Sequence, residues 1–167
     1  MKKLLILGAG DNGKVIAENA YSSQNYEDIK FLDDTFYNKK NNSEIIGPLE
    51  SIFDKKVKSQ FSDAIISISS FNLRINWLSL LKKEKFFIPK IIHKTSFISE
   101  SAKIGEGSII YPKACIQSNV TIREGVFINT GSIVEHDSYI SNAVHICPGA
   151  NIAGNVTVGF GSWIGIG

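Results

Sequence analysis

From Ile98 onward an aliphatic residue returns at every sixth position: Ile104, Ile110, Ile116, Ile122, Ile128, Val134, Ile140, Ile146, Ile152, Val158 and Ile164. Two residues before each stands Ser, Ala or Val, a series running Ser96, Ala102, Ser108, Ala114, Val120, Val126, Ser132, Ser138, Val144, Ala150, Val156 and Ser162. Side chains alternate across a strand, so the aliphatic residue and the small one before it share one side and the residue between them points out. A helix would smear a six-residue period around its axis. Each hexad is therefore a short half-buried strand, and three hexads close a triangular coil of 18 residues. Twelve hexads make about four coils spaced by the ~4.8 Å separation of paired strands. A single coil cannot cover its own apolar interior, so the coils must stack.

The first half follows a different rule. Lys3 to Leu7 reads as a buried strand, followed by the loop Gly8-Ala9-Gly10-Asp11-Asn12-Gly13 and a helix from about Lys14 to Tyr21. Glycines let the backbone approach a phosphate, and the helix N-terminus offers it unpaired N–H groups. A second strand, Ile29 to Leu32, ends in Asp33-Asp34, which can accept hydrogen bonds from a ribose or a base, or can form a solvated turn. Ala64 to Ser69 reads as a third strand and Asn72 to Lys83 as a helix with Leu73, Trp77, Leu80 and Leu81 facing inward. With Ile88 to Ile92 as a last strand, the predicted organisation is an α/β half-Rossmann domain over 1–92 and an all-β parallel helix over 93–167. About 90 residues are too few for a complete dehydrogenase. The chain stops in full repeat register at Ser162-Trp163-Ile164-Gly165-Ile166-Gly167, without the polar cap a solenoid end needs. It is expected to be C-terminally truncated relative to its kin, or capped by another segment.

A net charge of +2 gives no bulk attraction for nucleic acid or an anionic membrane. No apolar run reaches membrane-spanning length, and Gly8, Gly10, Asp11 and Asn12 cut the N-terminal run short of a signal-peptide core. The two cysteines, Cys115 and Cys147, are too few for a disulfide framework and lack metal-type neighbours, so a cytoplasmic setting and no metal are expected.

The repeats resemble the hexapeptide-repeat acyltransferase superfamily, whose members are trimers of left-handed parallel β-helices that bind acyl-CoA between subunits. Joined to the glycine-loop half, the whole chain resembles bacterial sugar acetyltransferases, among them UDP-amino-sugar N-acetyltransferases and sialic acid O-acetyltransferase-like proteins. The resemblance implies that Gly10, Asp11, Asn12, Asp33 and Asp34 hold the nucleotide of a sugar substrate, with Ser69 a further contact. Relatives carry Gly-His where this chain has Asp11-Asn12, and Gly-Asn where it has Ser69-Ser70. Asn12 can donate to a phosphate oxygen, whereas Asp11 would repel a diphosphate unless its side chain turns away.

One stretch of the repeat is chemically distinct: Glu135, His136 and Asp137 stand together at a corner. In the family this matches the catalytic motif, with the histidine as general base for an amine or hydroxyl attacking the thioester of acetyl-CoA. A carboxylate would orient the ring. Family match assigns that role to Asp137, and Glu135 is the alternative. His145, nine residues on, lies half a coil away and at an outward strand position, so the two imidazoles are expected to meet only across a subunit interface. The family match further implies acetyl-CoA contacts at His145, Gly154 and Ile166, an oxyanion contact at the Gly154 backbone N–H, and an acceptor contact at Asn129. His93 is expected to be structural, at the domain junction, and both cysteines to point outward. The resulting expectation is N-acetylation of a nucleotide-linked, UDP-type 4-amino-deoxy sugar by a homotrimer with active sites between protomers. O-acetylation of a sugar such as sialic acid, or a non-catalytic nucleotide-sugar scaffold, is the alternative. A zinc enzyme on the same repeat would need a third imidazole within it.

Overall fold

A computed structural model describes residues 2–23, 25–35 and 44–167, which form two compact units, 2–89 and 90–167. The first unit contains β1 (Lys2–Leu7), α1 (Asp11–Ser22), β2 (Tyr26–Leu32), β3 (Ile45–Gly47), a 3-10 turn (Leu49–Phe53), α2 (Lys55–Gln60), β4 (Asp63–Ile66) and α3 (Phe71–Lys83). Its four strands are parallel, in the order β3-β2-β1-β4. The central strand has Leu4, Leu5, Ile6 and Leu7 fully buried, as a strand covered on both faces must. Leu5 and Leu7 pack with Leu32, Ile66, Phe61, Leu78 and Leu81 on one side of the sheet.

Two expectations for this unit are corrected. In α3 the expected Leu81 is fully buried and Trp77 packs partly against the core, but Arg74 and Leu78 are the other buried positions and Leu73 is half-exposed. A buried arginine escaped the apolar pattern because its Nη1 donates to the carbonyls of Ile68 (3.0 Å) and Ser69 (3.1 Å), which offsets part of the cost of burying the guanidinium. No continuous strand runs from Ile88 to Ile92. Phe87 makes a single bridge to Asp63, Pro89 then removes a ladder donor, and Ile91–Ile92 pairs with Ile109–Ile110 in the second unit.

The second unit is the left-handed parallel β-helix. Among the described residues it has thirteen two-residue strands, β5 (Ile91–Ile92) to β17 (Trp163–Ile164), in three parallel sheets of five, four and four. Pairing advances 18 residues per coil, as in Thr121 against Tyr139 and Phe127 against His145. The hexad series supplies the interior: Ile110, Ile116, Ile122, Ile128, Val134, Ile140 and Ile146 are buried, with Ala114, Val120, Val126, Val144 and Ala150 between them. Corners turn through one residue in the left-handed region: Lys113, Gly131, Gly149 and Gly167 on one edge, Asn119, Asp137 and Asn155 on the next, and Gly107, Gly125, Ala143 and Gly161 on the third, with φ between 56° and 71°. Glycine and asparagine adopt that conformation most readily, which accounts for their recurrence at the corners.

Alternation does not leave every outward position wet. Ile109 and Phe127 are fully buried, His145 is 7% exposed, and the rings of Tyr111, Phe127, His145 and Trp163 run in series along one face at centroid spacings of 6.4, 5.5 and 4.4 Å. Outward position and exposure are therefore separate properties on this face. His145 and Cys147 occupy outward positions in the pattern yet are buried, whereas Cys115 is partly exposed.

Removing a stacked interior side chain should cost far more than trimming the outer surface. Ile128→Ala is expected to lower unfolding stability by about 2–5 kcal/mol, and Thr157→Ser, on the exposed face, by less than about 0.5 kcal/mol. Chemical denaturation of the two variants compares them directly.

Candidate functional site

In the first unit, the predicted loop residues gather at the carboxyl ends of β1 and β4, where the parallel sheet changes direction and a crevice opens. Gly8, Gly10, Asp11, Asn12, Gly13, Asp33, Ser67, Ile68 and Ser69 line an open cleft of about 390 Å³. The helix begins at Asp11, three residues earlier than expected, with Gly10 as its N-cap, so its first turn faces this space. Gly8 turns the chain at φ +103°, and a Cβ on Gly13 would lie 2.3 Å from the Gly8 carbonyl oxygen. Gly13 is thus the glycine of close helix-to-strand approach.

The carboxylate of Asp33 accepts the Ala9 N–H (2.7 Å) and the Thr35 N–H (2.8 Å), tying the glycine loop to the end of β2. Asp34 accepts the Leu49 N–H (3.0 Å) and is outside the cleft lining. Asp11 lines the cleft, is fully exposed and is paired with Lys14 at 3.2 Å. The Asn12 amide donates to the Ser67 carbonyl (2.8 Å) and braces the loop against β4. Ser67 is a cleft residue that sequence reasoning missed. Its hydroxyl reaches the carbonyls of Leu7 (3.0 Å) and Gly8 (2.8 Å), and nothing in a lone serine after a strand announces that role. Across the cleft, the Arg74 guanidinium holds the Ile68 and Ser69 carbonyls.

In the second unit, His136 and Asp137 form the turn between the strands Ile133–Val134 and Tyr139–Ile140. His136 Nδ1 lies 2.9 Å from Asp137 Oδ2, and Asp137 Oδ1 accepts the Asn119 side-chain amide at 3.1 Å. Those bonds, the histidine's first and the asparagine's second, hold the Asp137 carboxyl below its ordinary value. A depressed carboxylate pKa keeps the anion throughout the neutral range, and its bonds are lost only as pH falls through that lowered value. One coil on, Gly154 sits against the imidazole: a Cβ there would lie 2.7 Å from both Cε1 and Nε2 of His136. Glu135 is half-buried and near Cys115, whose thiol is pushed up first by burial and then by the Glu135 charge. Burial likewise raises the Cys147 thiol. Neither environment favours a thiolate nucleophile.

A second polar group lies on another sheet. His145 Nε2 is 3.2 Å from Asn129 Nδ2, and Asn129 Oδ1 accepts the Thr130 N–H at 2.7 Å. An amide nitrogen only donates, so Nε2 is the acceptor here and Nδ1 carries the ring proton. The structure thus brings Asn129 to His145, and His136 to Asp137 and Gly154. The two groups lie on different parts of the triangle: His145 belongs to the five-stranded sheet, whereas His136 turns between strands of the two four-stranded ones. Ile166, in the last coil, is 84% exposed. His93 Nδ1 contacts Thr95 Oγ1 at 2.9 Å within its own turn.

Residues 3–81 match the PglD N-terminal domain family. The whole chain superposes on the acetyltransferase domain of PglB from Neisseria gonorrhoeae FA1090 with a TM-score of 0.90 at 34% identity, covering 100% of this chain and 81% of that one. The chain belongs to the bacterial sugar acetyltransferase family. The same PglB domain in complex with acetyl coenzyme A is matched at a TM-score of 0.91 and 35% identity, over 99% and 80% of the two chains. GDP-perosamine N-acetyltransferase from Escherichia coli O157:H7 is 30% identical over 140 residues, and this member of the family spans 62% of that curated relative while matching it over 83% of its own length. A mutant of perosamine N-acetyltransferase from Caulobacter crescentus, in complex with CoA and GDP-perosamine, shares the fold at a TM-score of 0.87 and 22% identity, over 98% and 77% of the two chains. Among the described residues no helix is long and apolar enough to cross a membrane.

Two glycines in these sites should resist a single methyl group. Gly13→Ala forces a backbone clash and is expected to cost about 2–3 kcal/mol, read as a lowered denaturation midpoint. Gly154→Ala leaves the coil folded but must push the His136 ring away by about 1 Å to restore van der Waals separation. A crystal structure of the variant should show that ring displaced.

Proposed function

We propose that the protein transfers an acetyl group from acetyl-CoA to the amino group of a nucleotide-linked sugar. The observation that carries this reading is the His136–Asp137 pair, set at a corner with Nδ1 engaged by a carboxylate and the other ring nitrogen turned to Gly154. In that arrangement the sugar amine attacks the thioester carbon while His136 Nε2 takes its proton, and Asp137 steadies the imidazolium as it forms. For the oxyanion of the tetrahedral intermediate this reading assigns the backbone N–H of Gly154, and collapse expels the CoA thiolate, which takes back the proton held on His136. No acyl-enzyme is required.

The glycine loop, with Gly10 as N-cap and Asp33 beside it, receives the nucleotide, and Ser69 lines the same cleft. With Asp33 tied to the loop and Asp34 to Leu49, backbone N–H groups at the helix start do most of the binding of the diphosphate. Matches to proteins that carry GDP-perosamine in their names or complexes support a nucleotide-linked amino sugar as acceptor, with a UDP-linked 4-amino-deoxy sugar as the specific expectation. Because one chain separates the His136 corner from the Asn129–His145 group, the complete site is assigned to a cleft between protomers of a homotrimer. There His145 and Ile166 contact acetyl-CoA and Asn129 the acceptor. Such an enzyme works in the cytoplasm, where acetyl-CoA and nucleotide sugars are made.

CoA release with acetyl-CoA and UDP-, TDP- or GDP-linked 4-amino sugars, and with hydroxyl acceptors in parallel, tests substrate class. Turnover with amines and none with hydroxyls is expected. His136→Ala should lose at least about a hundredfold in kcat, the lower range for removing a general base, and near-normal turnover would reject the assignment.

A further inference from the structure

The corner bearing His136 repeats every 18 residues, with Ser101, Asn119, Asp137 and Asn155 at equivalent positions, the last three in the left-handed region. From Ser101 to Asp137 each residue of this column hydrogen-bonds to the next. Asn119 has φ +60°, its backbone N–H donates to Ser101 Oγ at 2.9 Å, and Ser101 Oγ lies 3.1 Å from Ser99 Oγ. Its side-chain amide then donates upward to Asp137 Oδ1 at 3.1 Å, while Asp137 Oδ2 faces His136 Nδ1 at 2.9 Å. The two carboxylate oxygens are therefore divided between two partners: the coil below holds one while the other faces the imidazole.

We infer that Asn119 is a positioning residue for acetyl transfer: it anchors the Asp137 carboxylate from the coil below, so that the other oxygen stays aligned on His136. An exposed aspartate at a turn otherwise rotates about its last torsion, a broad and soft one, and loses a directed bond to its neighbour. Asn119 supplies the second point of attachment. It carries no charge, so it anchors the carboxylate without competing for the proton of the imidazole. The titratable groups facing this corner are Asp137 and Glu135 on its own turn. The turn above, Ala153-Gly154-Asn155, and the turn below, Gln117-Ser118-Asn119, contribute none.

This role rests on His136 acting as the base, and substitutions at Asn119 separate the two claims. Glycine accepts the left-handed turn at least as well as asparagine, so Asn119→Gly deletes the amide without straining the corner. Asn119→Asp keeps the shape but sets a carboxylate against a carboxylate. With acetyl-CoA and a nucleotide-linked 4-amino sugar, kcat is expected to fall about tenfold in Asn119→Gly and further in Asn119→Asp. KM for acetyl-CoA should stay within about twofold and thermal stability unchanged in the glycine variant. A purely structural turn residue predicts equal kcat in all three proteins, and that result would overturn the inference while His136→Ala remained inactive. An active His136→Ala would instead remove the base itself, and this role with it. A substrate-free readout decides the point independently. Diethyl pyrocarbonate acylates neutral imidazole, and mass spectrometry can follow His136 against His93 as internal reference. Asn119→Gly should slow modification of His136 several-fold relative to His93, and an unchanged ratio contradicts the inference.

Discussion

Everything particular to the second unit depends on one packing constraint: an aliphatic side chain must meet its equivalent 18 residues away in the interior of the coil. Ile110, Ile128 and Ile146 satisfy it on one face, Ile116, Val134 and Ile152 on another, and Ile104, Ile122, Ile140 and Val158 on the third. A slip of one residue would turn that set outward, so the stack tolerates no drift in register. The corners inherit the register. Gly154 is brought against the His136 ring, and Asn119 against Asp137, because each pair is separated by one coil. The corner side chains are thus brought into register by hydrophobic contacts in the interior, and hydrogen bonds at the corner then orient them.

The first unit reaches a comparable end by other means. A fully buried central strand, Leu4 to Leu7, fixes where the glycine loop starts. The loop is then braced from two sides, by Asp33 on Ala9 and by Asn12 on Ser67, while Arg74 holds the opposite wall through two backbone carbonyls. Polar side chains that look like ligand contacts in the sequence are here occupied with shaping the backbone. Backbone N–H groups at the start of the helix and glycine surfaces remain open to the cleft.

Much of this was legible in the sequence, and the failures have physical reasons. The period-six pattern located every strand from Phe97–Ile98 onward, because a stacked interior admits no exceptions. It missed Ile91–Ile92, where the aliphatic Ile92 keeps the period but Lys90 replaces the small residue. Alternation placed His145 and Cys147 outward but did not give their burial, although apolar Ile109 and Phe127, in register with His145, signalled a covered face. In α3 an arginine took a core position that an apolar count gives to Leu73, since hydrogen bonds to carbonyls do not register as hydrophobicity. The Glu135-His136-Asp137 corner was visible as composition. Which carboxylate meets the ring was not, because that depends on the left-handed turn at Asp137 and on a partner 18 residues earlier.

The central claim is that the stacked register holds His136 with Nδ1 committed to Asp137 and Nε2 free of a proton. Long-range ¹H–¹⁵N correlation spectra of protein labelled with ¹⁵N-histidine report the tautomer of each imidazole at neutral pH. The account predicts that neutral His136 carries its proton on Nδ1, with Nε2 at the shift of an unprotonated ring nitrogen. A His136 spectrum dominated by the Nε2–H form, as for an imidazole unrestrained in water, would contradict it.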